Sequence, residues 1–187
     1  MKSVLISINP NWCELIASGK KTVEVRKTKP KLETPFKCYI YCTKGRGDCL
    51  WRWDGICYDT QFPDERPNRL DGKVIGEFVC DRITEYECSS DGHGQLATTC
   101  ETCLTYDEII NYCNGNELYG WHISDLKIYD KPRELSEFKR VCDGNCQECK
   151  YAIWETQGWY HEPKIVDCKP ITRPPQSWCY VESEDTE

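Results

Sequence analysis

Gly19-Lys20-Lys21-Thr22-Val23-Glu24-Val25-Arg26 follows a short amphipathic segment and opens a strand-like run. Just past a glycine, it brings Lys21, Glu24 and Arg26 close together in sequence. Such a grouping suits a polar pocket at a helix-to-strand junction better than a generic surface. Strand alternation puts Val23 and Val25 on one face and Thr22, Glu24 and Arg26 on the other. Lys21 lies at the junction, so alternation leaves its direction open. A bare surface ion pair between Glu24 and Arg26, worth little, is the competing reading.

Working outward, Val4 to Ile8 is apolar and β-branched and predicts a strand. Asn9 can cap a helix with Pro10 at its first position. Trp12, Leu15 and Ile16 follow at helical spacing, and Gly19 can close that helix. Phe36 to Thr43 predicts a strand with Phe36, Cys38, Ile40 and Cys42 on one face. Residues 44–72, with Trp51 and Trp53, read as an irregular insertion. Lys73 to Tyr86 returns to strand character. Thr105-x-x-Glu108 is a capping-box pattern that starts a short helix through Ile109, Ile110 and Tyr112. Tyr119 to Tyr129 predicts one or two strands around Ser124-Asp125. Pro132 to Phe138 is a short connection anchored by Leu135 and Phe138, and Ser177 to Glu182 a closing strand. Many short strands with two small helices predict one mostly β domain over 1–187, an α+β barrel with helical decoration. A Cys-rich insertion covers about 140–170 and an acidic tail 183–187.

The chain has 187 residues, 39% of them hydrophobic, and no apolar run long enough to span a bilayer. Val4 to Ile8 is too short for a signal-peptide core. The expectation is a soluble, cytoplasmic protein with no membrane partner. The net charge of −7 argues at first against nucleic acid. However, residues 1–46 carry a balance of +7, leaving −14 for the remainder. That asymmetry allows a basic face despite an acidic total.

Fifteen cysteines without an export signal point to reduced thiols and bound zinc rather than a disulfide framework. Cys142-x-x-x-Cys146-x-x-Cys149 can wrap a tetrahedral ion, with Gly144 relaxing the turn. Cys168 is the expected fourth ligand, because it precedes the return to the barrel and would pin the insertion at both ends. His161 is the alternative. Four protein ligands leave no open position, so this zinc would be structural. Cys100-x-x-Cys103, with Cys88 and His93, forms a weaker second set. Cys49 and Cys57 could join either set, or none. Cys38, Cys42 and Cys80 read as small core residues, and Cys13 sits on the first helix.

These residues carry a resemblance. Gly19-x-Lys21-x-x-Glu24-x-Arg26 after the first helix, Lys73-Val-Ile-Gly-Glu-Phe78, and Gly120-Trp-His-Ile-Ser-Asp-Leu126 leading to Pro132 and Leu135 resemble an ASCH domain of the PUA-like superfamily. Arg173-Pro-Pro-Gln-Ser-Trp178 looks like the ending of prophage-type members. The resemblance implies a β-barrel with a cleft beside the first helix that binds RNA or a modified nucleotide. A base pocket needs a cation for phosphate, hydrogen-bonding groups for the base edge and a flat wall for stacking. Lys21 and Arg26 supply charge, Glu24 an acceptor, and Tyr119, Trp121 or Trp178 a wall, although Trp121 and Trp178 also suit a core. His122 reads as a packed or exposed strand histidine.

Two other functions compete. Small members of the superfamily hydrolyse N4-acetylcytidine with a lysine, a nucleophilic threonine and a glutamate. Lys21 matches the lysine, so Lys21 and Glu24 would be the catalytic candidates. Glu24, however, stands where those enzymes carry threonine, and a carboxylate nucleophile would give a labile anhydride. Thr22 has the wrong offset. The sequence therefore favours binding over catalysis. The Trp51/Trp53 loop and the acidic C-terminal portion suggest a third function, a phage-encoded module that docks a protein partner.

Overall fold

Alternate side chains of the first strand enter two different cores. The computed structural model describes residues 2–44, 70–86, 99–141, 152–155, 164–168 and 170–182. Their elements are β1 (Lys2–Ile8), α1 (Pro10–Ala17), β2 (Val23–Arg26), β3 (Phe36–Cys42), β4 (Val74–Tyr86), α2 (Thr99–Thr102), α3 (Tyr106–Cys113), β5 (Leu118–Arg133), a 3-10 turn (Leu135–Glu137), β6 (Ala152–Glu155), β7 (Lys164–Cys168) and β8 (Trp178–Glu182). Six strands form one sheet in the order β2-β5-β4-β3-β1-β8. β1 and β3 pair in parallel, and the other neighbours are antiparallel.

The sheet curls because its two long strands are bulged. β4 and β5 slip register between Val74 and Gly76, Glu77 and Val79, and Cys80 and Ile83, and each bulge bends the strand and increases its twist. Asp125 sits at φ +47° within β5. The Ser124-Asp125 signal therefore marks a kink inside one strand. The curl brings the sheet's far ends together. The ring centroids of Trp121 on β5 and Trp178 on β8 are 6.0 Å apart. Trp178 Nε1 donates to Thr28 Oγ1 at 3.0 Å, and the Lys31 amide donates to the Tyr180 hydroxyl at 2.7 Å.

Val4, Ile6 and Ile8 enter the main core with Cys13, Ile16, Phe36, Cys38, Ile40, Cys42, Phe78, Cys80 and Trp121. Leu5 faces the other way, with Tyr39, Tyr41, Leu135, Phe138, Ile171 and Val181. Burial on both faces explains why β1 is a continuous apolar run rather than an alternating one. The expected face of β3 is the one observed, and its cysteines pack as small apolar residues. Burial pushes the Cys38 thiol well up and the Cys80 thiol to about 12, which suppresses thiolate chemistry in the core.

A third cluster of Val25, Tyr86, Ile109, Cys113 and Leu118 seats α3 against the sheet. The Thr105 capping box forms as its pattern predicts. Within the stretch expected to be a Cys-rich insertion, β6 and β7 form a separate antiparallel hairpin. The Trp51/Trp53 loop, Cys49, Cys57 and the acidic tail lie outside the described residues. Among the described residues, no helix is long and apolar enough to cross a membrane.

Candidate functional site

The end of α1 aims the charged motif inward. Asn9 holds the extended N-cap conformation before Pro10. At the other end, the Ser18 amide donates to Glu14 O and the Gly19 amide to Ile16 O, both at 2.9 Å. Gly19 has φ +73°, a left-handed turn that glycine adopts without steric cost. The chain then folds back, and the Lys21 amide donates to Leu15 O at 2.9 Å. This return decides the direction that alternation left open: Lys21 is 2% exposed.

A strap of residues 101–103 holds the motif from outside. The Thr22 amide donates to Glu101 O at 2.9 Å, Lys21 Nζ to Thr102 O at 2.6 Å, and Cys103 Sγ to Lys20 O at 3.4 Å. Glu24, 5% exposed, lies between the two cations. Lys21 Nζ is 3.4 Å from its Oε2, and Arg26 Nη2 is 3.0 Å from its Oε1. Arg26 Nη2 also donates to Ser7 O at 2.5 Å. The ammonium of Lys21 stands 5.1 Å from the centre of the Trp12 ring, within cation–π range. This is a mostly buried triad, which the bare surface-pair reading does not describe.

Two polar atoms in the triad are buried without a hydrogen-bond partner: Glu24 Oε2 and Arg26 Nε. Both residues line a cavity of about 800 Å³, within the usual range for ligand sites. Its walls come from the end of β1 (Ser7), Asn9, Trp12, the motif, Thr43, α3 with the residue before its cap (Leu104, Glu108, Asn111, Tyr112), and residues Pro174 to Gln176. Hydrogen bonds from the Thr105 amide and hydroxyl hold the Glu108 carboxyl below its ordinary range, so it is ionised at neutral pH. Two cations and two carboxylates therefore line the cavity, and their formal charges cancel. An exposed lysine, Lys27, places its Nζ 5.0 Å from the centre of the Tyr112 ring.

Lys21, Glu24 and Arg26 thus converge on one cavity, but the three aromatic candidates do not line it. Trp121 is fully buried and packs edge-on to Phe36 at 5.8 Å. It is the cross-strand partner of Glu24, so it shares that face yet lies deeper, under cover. Trp178 packs between Trp121 and Tyr180. Tyr119 bonds Glu117 Oε2 at 2.7 Å and lies 5.1 Å from Lys29 Nζ. The aromatic wall is instead Trp12 and Tyr112, which the sequence reading treated only as helix positions. A signal for Tyr112 was present: Glu108, Asn111 and Tyr112 share one stripe of α3, away from the buried Ile109 and Cys113.

His122 is a half-buried strand residue, with Nε2 2.8 Å from Thr84 Oγ1 and Nδ1 3.1 Å from Arg82 Nη2. Burial, then the Arg82 guanidinium, lowers its pKa. Thr22 is exposed and does not line the cavity.

Among the described residues, no group of three His, Cys, Asp or Glu side chains could hold a metal ion. Cys142, Cys146, Cys149, His161, Cys88 and His93 lie outside them. Cys168 ends β7 opposite Ala152. Seven described cysteines are free, including the exposed Cys100 and half-exposed Cys103. Cys113 is disulfide-bonded, which departs from the expectation of uniformly reduced thiols.

The fold is that of solved ASCH structures, a mostly β, barrel-like α+β fold as expected from the sequence. The solved ASCH protein of Zymomonas mobilis aligns over 97% of this chain and 89% of its own, at 18% identity and a TM-score of 0.55. A serine-to-alanine variant of that protein aligns over 96% and 88%, at 18% identity and a TM-score of 0.54. No family model matches the chain, and no curated protein matches it significantly.

Proposed function

We propose that the cavity binds a base of RNA or of a modified nucleotide. The observation that carries this reading is that Glu24 and Arg26, both in the cavity lining, each bury a polar atom, Oε2 and Nε, that makes no hydrogen bond. A buried polar atom without a partner costs about 1–3 kcal/mol, more when charged, and a base edge answers both. A ring or exocyclic N–H donates to Glu24, and a neighbouring ring nitrogen or carbonyl accepts from Arg26. Trp12 and Tyr112 offer faces for stacking, which contributes about 1–3 kcal/mol per base. Because the lining charges cancel, an uncharged base belongs inside and the phosphate outside, near Lys27. Lys21, assigned to phosphate from the sequence, instead acts as the placed counter-charge of Glu24. The prophage origin belongs to the same reading and rests on the 173–178 segment alone.

Hydrolysis has weaker support. Lys21 Nζ already donates to Thr102 O, Ser7 Oγ donates to Pro175 O at 2.7 Å, and Thr43 Oγ1 donates to Asn9 Oδ1 at 3.0 Å. Neither of these aliphatic hydroxyls is bonded to a base that could activate it.

Calorimetric titration of nucleosides and short single-stranded RNA into wild type and Glu24→Gln tests the binding reading. Loss of about tenfold or more in affinity is expected, and equal affinity overturns the reading. Release of cytidine from N4-acetylcytidine, abolished in Lys21→Ala, would install the hydrolase reading instead. A defined protein partner that stays bound after nuclease treatment would install the docking one.

The proposal includes a structural zinc held by Cys142, Cys146, Cys149 and Cys168. Its support is the hairpin register: Cys168 lies opposite Ala152, and Cys149 is three residues before Ala152, a reach of about 10 Å at most. Native mass spectrometry before and after chelation checks it. A chain that never carries zinc, when purified without chelator, rejects it.

A further inference from the structure

We propose that Cys100 and Cys103 form a thiol–disulfide switch that sets the position of Lys21. The strap made by residues 101–103 is the outer support of the binding motif, and the two thiols bracket it. Three contacts run in order along it: Glu101 O to the Thr22 amide, Thr102 O to Lys21 Nζ, and the Cys103 thiol to Lys20 O. Both thiols are free, one exposed and one half-exposed. Cys103 Sγ already folds back to 3.8 Å from Cys100 O, at a residue with φ +54°. Cys100 lies in the single turn of α2 and Cys103 is the first residue past its end, a three-residue spacing that a disulfide can close.

The oxidant is a small disulfide such as oxidised glutathione. The Cys103 thiolate attacks one of its sulfurs, forming a mixed disulfide and releasing one thiol. The Cys100 thiolate then attacks Cys103 Sγ, displacing the second thiol and closing the Cys100–Cys103 bond. Two protein thiols are oxidised, one small disulfide is reduced to two thiols, and the protons from the protein thiols pass to them. Closure removes the S–H that Cys103 donates to Lys20 O. It also tightens the turn that carries Thr102 O, the acceptor of the buried Lys21 ammonium. The oxidised strap releases Lys21, and the reduced strap holds it beside Glu24. The effect on ligand affinity rests on the binding function proposed above, whereas the effect on Lys21 does not.

The test treats the full-length protein with oxidised glutathione and maps disulfides by peptide mass spectrometry. The same samples are pulsed with an amine-acylating ester to read the exposure of Lys21. The expected result is a Cys100–Cys103 linkage and a rise of about tenfold in Lys21 acylation, the factor for losing one hydrogen bond to a charged group. Cys103→Ser keeps a hydroxyl donor for Lys20 O and should show no rise. Three results overturn the proposal: the linkage forming while Lys21 acylation stays constant, only glutathione adducts forming, or an equal rise in Cys103→Ser. If the switch operates but oxidised and reduced proteins both ignore nucleosides and RNA, the function assigned to the cavity fails and the switch stands.

Discussion

Replacing Glu24 by leucine should destabilise the protein well beyond the cost of an ordinary surface ion pair. The carboxylate is 5% exposed and stands 3.4 Å from the Lys21 ammonium and 3.0 Å from the Arg26 guanidinium. At an effective dielectric constant of about 20, each attraction is worth about 5 kcal/mol before desolvation is counted. Removing one partner of a buried pair typically costs about 3–5 kcal/mol, because the other charge is left uncompensated. Here the two remaining cations also repel each other. For a chain of this size that loss corresponds to a fall in Tm of about 6–20 °C. Lys21→Met alone leaves Glu24 still paired with Arg26 and should cost less. The double variant should be more stable than additivity predicts by about 2 kcal/mol, since it no longer strands the ammonium. Urea denaturation of the four proteins closes the cycle. Additivity within about 0.5 kcal/mol would refute an energetic link between the two groups, and a Glu24→Leu loss below about 1 kcal/mol would return the motif to the solvated-pair reading.

Trp12→Leu should weaken nucleoside binding by about five- to a hundredfold through lost stacking, while Trp178→Phe should leave affinity unchanged; calorimetry on both variants separates them. Gly76→Ala should destabilise by about 1–3 kcal/mol, because its Cβ would lie 2.5 Å from the backbone oxygen of Lys127; chemical denaturation reads the loss. His122 has a lowered folded pKa, so the unfolded chain binds its proton first as the pH drops. Its stabilising contribution is complete above the ordinary histidine pKa of about 6.5 and fades as pH falls through the lower folded value. Tm measured between pH 7.5 and 5 should decline less in His122→Asn than in wild type.

Most of the scaffold was legible because its signals are local. β1, α1, β3 and the Thr105 capping box each follow from patterns within a few residues. The convergence of Glu24 and Arg26 was legible too, since strand alternation places them together. The aromatic wall was not. Trp121 was a candidate stacking wall, but the curl of β4 and β5 turns its face inward and covers it. Trp12 and Tyr112 come from helices far apart in sequence and line one cavity only because α3 packs on Val25, Tyr86 and Leu118.

By itself, the order of apolar, β-branched and turn residues determined the strand sequence, the first helix and the charged motif behind Gly19, because hydrophobic period and backbone preference act over a turn or a strand. Only the tertiary structure decided that Lys21 points inward under a strap more than seventy residues away, and that one Glu24 oxygen makes no hydrogen bond. Burial and hydrogen-bond satisfaction depend on what the rest of the chain brings to a residue, and no local pattern encodes that.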